Sequence, residues 1–226
     1  DVNIKNFQST AKDVISFVPP GSIPNTIKLP PNFNLKGKFK GSTANFQTQL
    51  ALKSSYGAAK MEGFLDQRIK NKEKYNANIS LYDFDMGRLI KNDSLGKITL
   101  NAKVKGNGFN PKTANAQLDA IVDRAAYNQY TYKNLRLKGK IEKGSYDLKS
   151  GMDDPNLNFK LIASGEFKNK YPSVDLNLNL DIADLQKLNF YRGPMKLRGN
   201  VTTNITDSNP DFLNGEVFLS NVQILQ

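Results

Sequence analysis

The strongest constraint on this chain is an alternation of apolar and polar residues, with period two, that recurs along most of its length. In Ile98-Thr99-Leu100-Asn101-Ala102-Lys103-Val104-Lys105 the alternation is strict. Successive strand side chains point to opposite faces, so such a run is a half-buried β-strand. The pattern returns in Lys133-Asn134-Leu135-Arg136-Leu137-Lys138, in Leu157-Asn158-Phe159-Lys160-Leu161 and from Val174 to Asp181. One apolar face and one Asn/Lys/Asp face describe an antiparallel sheet that is wet on one side.

Turn chemistry separates the runs. Gly106-Asn107-Gly108-Phe109-Asn110-Pro111, Lys143-Gly144, Asp153-Asp154-Pro155-Asn156 and Asp207-Ser208-Asn209-Pro210 all carry residues suited to positive φ or to ending a ladder. Runs and turns at this spacing predict a meander of hairpins. Helical signal is confined to Ala11–Phe17, Asp85–Lys91 and Ala183–Asn189, each too short to be stable unless docked on the sheet. Asp85 is placed to cap the helix that begins at Met86.

These helices mark an internal repeat. The order strand, short helix, hairpin at Ile79–Val122 returns at Leu178–Ser220 with an offset of roughly 97 residues, and a fainter copy opens the chain. The expected organisation is one continuous structural domain of three repeats: 1–75 with the N-terminal helix, 76–177 with extra strands from Thr131 to Phe167, and a truncated 178–226. The expected fold class is all-β with a few short helices. It is an elongated, curved antiparallel sheet of repeated hairpins, a taco-like trough with an apolar interior.

Composition narrows the chemistry. Apolar residues are 38% of 226, against roughly 45–50% in ordinary globular chains, as suits a single-layer sheet with a large polar face. Cysteine and histidine are both absent. Disulfides, thiolate metal sites, Ser-His-Asp and Cys-His catalysis and zinc hydrolysis are therefore excluded within this sequence. Asp153-Asp154-Pro155-Asn156 lacks the spacing of a calcium loop, and the glycines form no phosphate-binding motif. We expect no enzyme active site, no metal and no cofactor.

The net charge of +11 invites nucleic acid, an anionic membrane surface or an acidic polysaccharide as partner. The lysines are spread over alternate strand positions, however, which reads as exposed faces and edges kept soluble and unpaired. Tyr127, Tyr130 and Tyr132 beside Lys133 and Arg136 could stack bases, but cross-strand aromatic pairing is the simpler reading. No nucleic-acid partner is expected. No stretch approaches the roughly 20 continuous apolar residues of a membrane helix. Asp1-Val2-Asn3-Ile4-Lys5 has no signal-peptide order, and Val222–Gln226 stops within an apparent strand. Both ends look cut, so a membrane anchor is expected outside these residues.

The remaining constellation is the apolar stripe: Ile98, Leu100, Val104, Leu118, Leu135, Leu137, Leu157, Phe159, Leu161, Val174, Leu176, Leu178, Leu180, Met195, Leu197 and Val201. With almost no helix to cover it, this face must close on itself as a dry sandwich core or hold a ligand in a long trough.

The segment Asn78–Phe167 resembles the TamB/AsmA-like proteins of Gram-negative envelopes. The resemblance is carried by Leu81-Tyr82-Asp83-Phe84-Asp85-Met86-Gly87-Arg88-Leu89, by Leu95–Gly106, by Asn110-Pro111-Lys112-Thr113-Ala114-Asn115-Ala116 and by Tyr130-Thr131-Tyr132-Lys133-Asn134-Leu135. It implies a periplasmic stretch of an inner-membrane-anchored protein built from stacked, taco-shaped β-sheet. The groove of such a protein would carry phospholipid or another acyl-chain lipid between membranes, or assist outer-membrane protein assembly. The family's terminal domain, which meets an outer-membrane assembly component, is not recognisable here, so that partner would be engaged through regions outside this sequence.

Overall fold

The computed structural model describes residues 1–167 and 170–225. They form one open, curved sheet of thirteen strands in which spatial order follows chain order without a crossover. The elements are β1 (Val2–Thr10), α1 (Ala11–Phe17), β2 (Asn32–Ser42), β3 (Asn45–Ser54), β4 (Gly57–Asp66), β5 (Lys74–Asp85), α2 (Met86–Ile90) and β6 (Leu95–Asn107). There follow β7 (Asn115–Tyr127), β8 (Tyr130–Glu142), β9 (Ser145–Asp154), β10 (Leu157–Glu166), β11 (Val174–Asp184), β12 (Lys196–Asn209) and β13 (Phe212–Leu225). Every neighbouring pair is antiparallel. The all-β, meandering fold class expected from the alternation is the one observed.

Local chemistry sets the turns. Asn128-Gln129 and Lys143-Gly144 have φ of 48° and 64°, and 47° and 92°, the left-handed pairs that match strand twist in two-residue hairpins. Further along, the expected turn at 207–210 is displaced: Asp207–Asn209 complete β12, and Pro210-Asp211 make the reversal.

Two of the three expected helices form. In α1, Asp13 N–H donates to Thr10 Oγ1 at 3.2 Å and Thr10 N–H to Asp13 Oδ2 at 3.0 Å, a reciprocal capping box. In α2, Asp85 Oδ1 accepts from Arg88 N–H at 3.0 Å, the capping role expected of it. The segment Ala183–Asn189 is not a helix. Ala183 and Asp184 end β11, and the residues after them make turns. Their backbone groups are committed elsewhere: Leu185 N–H donates to Met195 C=O at 2.8 Å, and Leu185 C=O accepts from Phe190 and Tyr191. Asp184 Oδ1 takes Lys187 N–H at 3.1 Å, which closes the loop over a buried Leu188.

Both helices and this loop lie along one margin of the sheet. Most register shifts lie near that margin: Ile4/Phe7, Leu81/Phe84, Thr99/Leu100, Asn158/Phe159, Leu180/Ala183 and Arg198/Asn200. Asp83, Asn134 and Asn221 there have φ of 45°, 55° and 54°. Bulges bend and overtwist a strand, so this seam concentrates curvature beside the helices.

The opposite margin is built from aromatic rings facing glycines across the ladder. Phe46 pairs with Gly41, Tyr75 with Gly106 and Tyr146 with Gly165. Each ring meets a second one: Phe39–Phe46 at 5.1 Å, Tyr75–Phe109 at 5.4 Å and Tyr146–Phe167 at 5.1 Å between centroids. A Cβ on Gly165 would stand 2.0 Å from Ser173 O and 2.8 Å from the Tyr146 ring. At Gly139 the nearest atoms are the Leu118 and Leu148 side chains, both at 3.9 Å. Gly165→Ala should therefore cost about 1–3 kcal/mol, whereas Gly139→Ala should stay within about 0.5 kcal/mol of the parent or stabilise it. Urea midpoints of the two variants test this, and equal midpoints would refute the close-approach role.

Candidate apolar track

Cross-strand register turns the alternation into rows. One row crosses all thirteen strands: Ile4, Gly37, Leu50, Met61, Ile79, Ala102, Ala120, Leu137, Ser150, Leu161, Leu178, Val201 and Leu219. On its helix side runs a second: Phe7, Leu35, Leu52, Ala59, Leu81, Leu100, Val122, Leu135, Met152, Phe159, Leu180 and Gly199. On its other side runs a third, through Phe39, Ala77, Val104, Leu118, Leu148, Ala163, Leu176 and Val217. All three lie on one face, because directly opposed residues point the same way.

The sixteen stripe residues fall as follows. Leu100, Leu135, Phe159 and Leu180 belong to the helix-side row, Leu137, Leu161, Leu178 and Val201 to the central row, and Val104, Leu118 and Leu176 to the third. Ile98, Leu157 and Leu197 extend the face toward the helices, where Ile98 opposes Phe84 and Leu157 and Leu197 flank Ala183. Val174 extends it the other way, opposite Ile205. Met195 lies outside the strands, ahead of β12, with its carbonyl bonded to Leu185. The same face continues over β2–β5 through Leu35, Leu50, Leu52, Met61, Ile79 and Leu81, which the stripe omits. Their signal is diluted by Gly37, Thr48, Ala59 and Gly63 at equivalent positions.

All sixteen are half-buried rather than buried. Among the described residues, the buried apolar side chains in the rows are the small Ala77, Ala120 and Ala163, with Met152 the one large member. Larger ones, Tyr56, Phe84 and Leu188, sit at the helix margin. Among the described residues, no second layer covers these side chains. No helix of the described residues is long and apolar enough to cross a membrane, and none roofs this face.

The helix margin is tied together by its own loops. Lys28 N–H donates to Leu89 C=O at 2.7 Å, and Lys91 Nζ reaches Asn25 C=O. Asn128 and Asn189 exchange side-chain-to-backbone bonds of 2.9 and 3.0 Å. Nearby, Asp154 is 2% exposed and its carboxylate accepts from Tyr130 Oη–H, from Lys133 N–H at 3.0 Å and from Asn156 N–H at 2.9 Å. Tyr130 meets Tyr132 edge-on at 4.8 Å, and Tyr127 opposes Tyr130 across the hairpin. The ring contact thus lies within one strand and not across strands as expected, and Tyr127 stays exposed.

No family model, curated protein or solved structure matches the chain. Among the described residues, no cluster of three or more acidic side chains could hold a metal. What the arrangement offers chemically is a continuous, non-directional apolar surface at the width of the sheet. Thirteen strands at about 4.8 Å span roughly 58 Å.

Tyr75, Tyr130, Tyr132 and Tyr146 all have phenols raised above the ordinary 10.0, first by burial; the Asp154 bond adds to the effect at Tyr130. A raised phenol in the folded state contributes stability that is complete below pH 10.0 and is lost as pH rises through the folded value. Ultraviolet titration should show these four rings ionising above the ordinary phenol value of 10.0, with the fold weakening in that window. Ionisation of the four at that ordinary value, with the fold intact, would contradict the packing of both margins.

Proposed function

We propose that this chain is a non-enzymatic segment that binds acyl-chain lipid along its apolar face and conducts it across the periplasm, as the resemblance to TamB/AsmA-like proteins implies. The observation that carries the reading is the unroofed set of apolar rows running from β1 to β13. A dry sandwich core would bury these rows, whereas all sixteen stripe residues stay half-buried. An acyl chain laid along the rows would be held at about 0.8 kcal/mol per buried methylene. Movement needs no chemistry: every strand presents at least one apolar side chain to the rows, with Ser150, Thr48 and Thr203 as the polar interruptions.

A second reading is assistance to outer-membrane protein assembly through a free sheet edge. Such an edge can add a strand from an unfolded client.

Leu176 and Leu178 separate the readings. They are half-buried, flanked by Ala163 and Thr203, and by Leu161 and Val201. Aspartate at both positions can stay hydrated, so circular dichroism should keep its β signature with a urea midpoint lowered by the lost cross-strand pairs, about 0.2–1 kcal/mol each, while lipid co-purifying with the protein falls sharply. Lipid at parental levels in a folded Leu176→Asp/Leu178→Asp variant would sink the acyl-track reading. Crosslinking of unfolded barrel protein at a sheet edge, with no lipid on either protein, would replace it with the assembly reading.

A further inference from the structure

We propose that the polar face of the sheet over β5–β9 is a docking surface for an anionic polysaccharide, independent of whatever occupies the apolar face. The parity that gathers the apolar rows sends Lys103, Lys105, Lys138, Lys140 and Lys149 to the opposite side. Register then sets Lys103 beside Asp119, Asp119 beside Lys138, and Lys138 beside Lys149. A twisted sheet is a saddle, so its polar face is also concave in one direction. These side chains line a depression of about 610 Å³ that crosses five strands.

Charge in the depression is unbalanced. Five lysines face two carboxylates, Asp119 and Asp147. Lys138 is engaged by Asp119 at 3.3 Å and Lys140 by Glu142 at 2.6 Å. Lys103, Lys105 and Lys149 are exposed and make no ion pair among the described residues. Two further depressions continue it. One, of about 440 Å³, shares Asn76 and Asn78 and reaches β2; the other, of about 840 Å³, shares Lys138 and Lys149 and reaches β11. The combined depressions follow roughly 43 Å of ladder, a length that suits a polymer, while Glu62, Asp123, Asp153 and Asp181 line the flanks and concentrate the positive excess in the central one.

The lining chooses among polyanions. Ammonium groups alternate with the amides of Asn76, Asn78 and Gln117, so anionic groups and hydroxyls find donors side by side. No aromatic ring lines the central depression, which removes the stacking platform that single-stranded nucleic acid uses. A bilayer surface fits poorly against the central depression, which presents no exposed large apolar side chain for insertion; Phe64 and Ile121 stand exposed only in the flanking ones.

The test uses the whole chain and a fluorescent galacturonate decamer, read by anisotropy at low salt. Saturable binding that weakens with salt is expected, and neutral dextran should not compete. Lys103→Gln/Lys149→Gln should weaken binding about tenfold, the scale of two exposed charge contacts. Lys5→Gln/Lys72→Gln, away from the depression, should bind as the parent does. Lipid content of the first double variant should stay at parental level, which separates this surface from the apolar track. The proposal is overturned by the absence of saturable binding, or by equal binding in the Lys103/Lys149 variant. A thymidine decamer or phosphatidylglycerol vesicles binding more tightly than the galacturonate would likewise overturn it, assigning the face to nucleic acid or membrane instead.

Discussion

Everything in this molecule depends on register. A strand has a side-chain period of two, so a slip of one residue would move its apolar set to the polar face. Over thirteen strands a single uncorrected slip would cut both the apolar rows and the basic depression in two. The structure keeps phase by placing its irregularities at the edge of the rows. Leu81 still faces Leu100 and Ile79 still faces Ala102, although β5 bulges immediately beyond, at Tyr82-Asp83. The same holds in β10 and β11, where Leu161 faces Leu178 and Phe159 faces Leu180 before the ladder shifts. Curvature is obtained at the helix margin and the rows stay in register.

The alternation made much of this legible, and where it failed the reasons are local. Strict runs such as Ile98–Lys105 and Val174–Asp181 lie inside β6 and β11, and α1 and α2 sit where Thr10 and Asp85 can cap them. The apolar face over β2–β5 was harder to see, because Gly37, Thr48 and Gly63 occupy row positions and dilute the pattern. The third helix failed because residues Ala183–Asn189 do not by themselves reveal that the Leu185 amide will donate to the Met195 carbonyl. The aromatic margin was invisible for another reason. Tyr146 and Gly165 are paired only by a register that no local window contains, and Phe167 joins them from beyond the strand end.

The two faces divide the composition between them. An ordinary domain hides its apolar residues under a second layer, and its charges are scattered over what remains. Here one sheet supplies both surfaces, so each strand contributes one side chain to the apolar rows for every one it contributes to the polar face. That is why the apolar fraction is 38% and why lysines recur at alternate positions without forming a charge run in sequence. The basic depression is thus a product of the same register as the apolar track. Lys103 and Val104 are neighbours in the chain and lie on opposite surfaces.

A sheet without a roof raises the question of what holds it. Strands contact mainly their neighbours, the Arg124–Asp83 ion pair between β7 and β5 reaching across one, so stability approximates a sum of nearest-neighbour terms, as in solenoids. Cross-strand pairs contribute roughly 0.2–1 kcal/mol each, and the pinned margins limit fraying at both ends of the strands. The half-exposed rows leave part of the available apolar burial unused. Any apolar occupant that binds the folded sheet and not the unfolded chain must then raise its stability by mass action. Occupancy of the track and integrity of the register are coupled: a ligand spanning several strands favours the phase that keeps its surface continuous, and a slipped strand would lose both the ladder and the ligand.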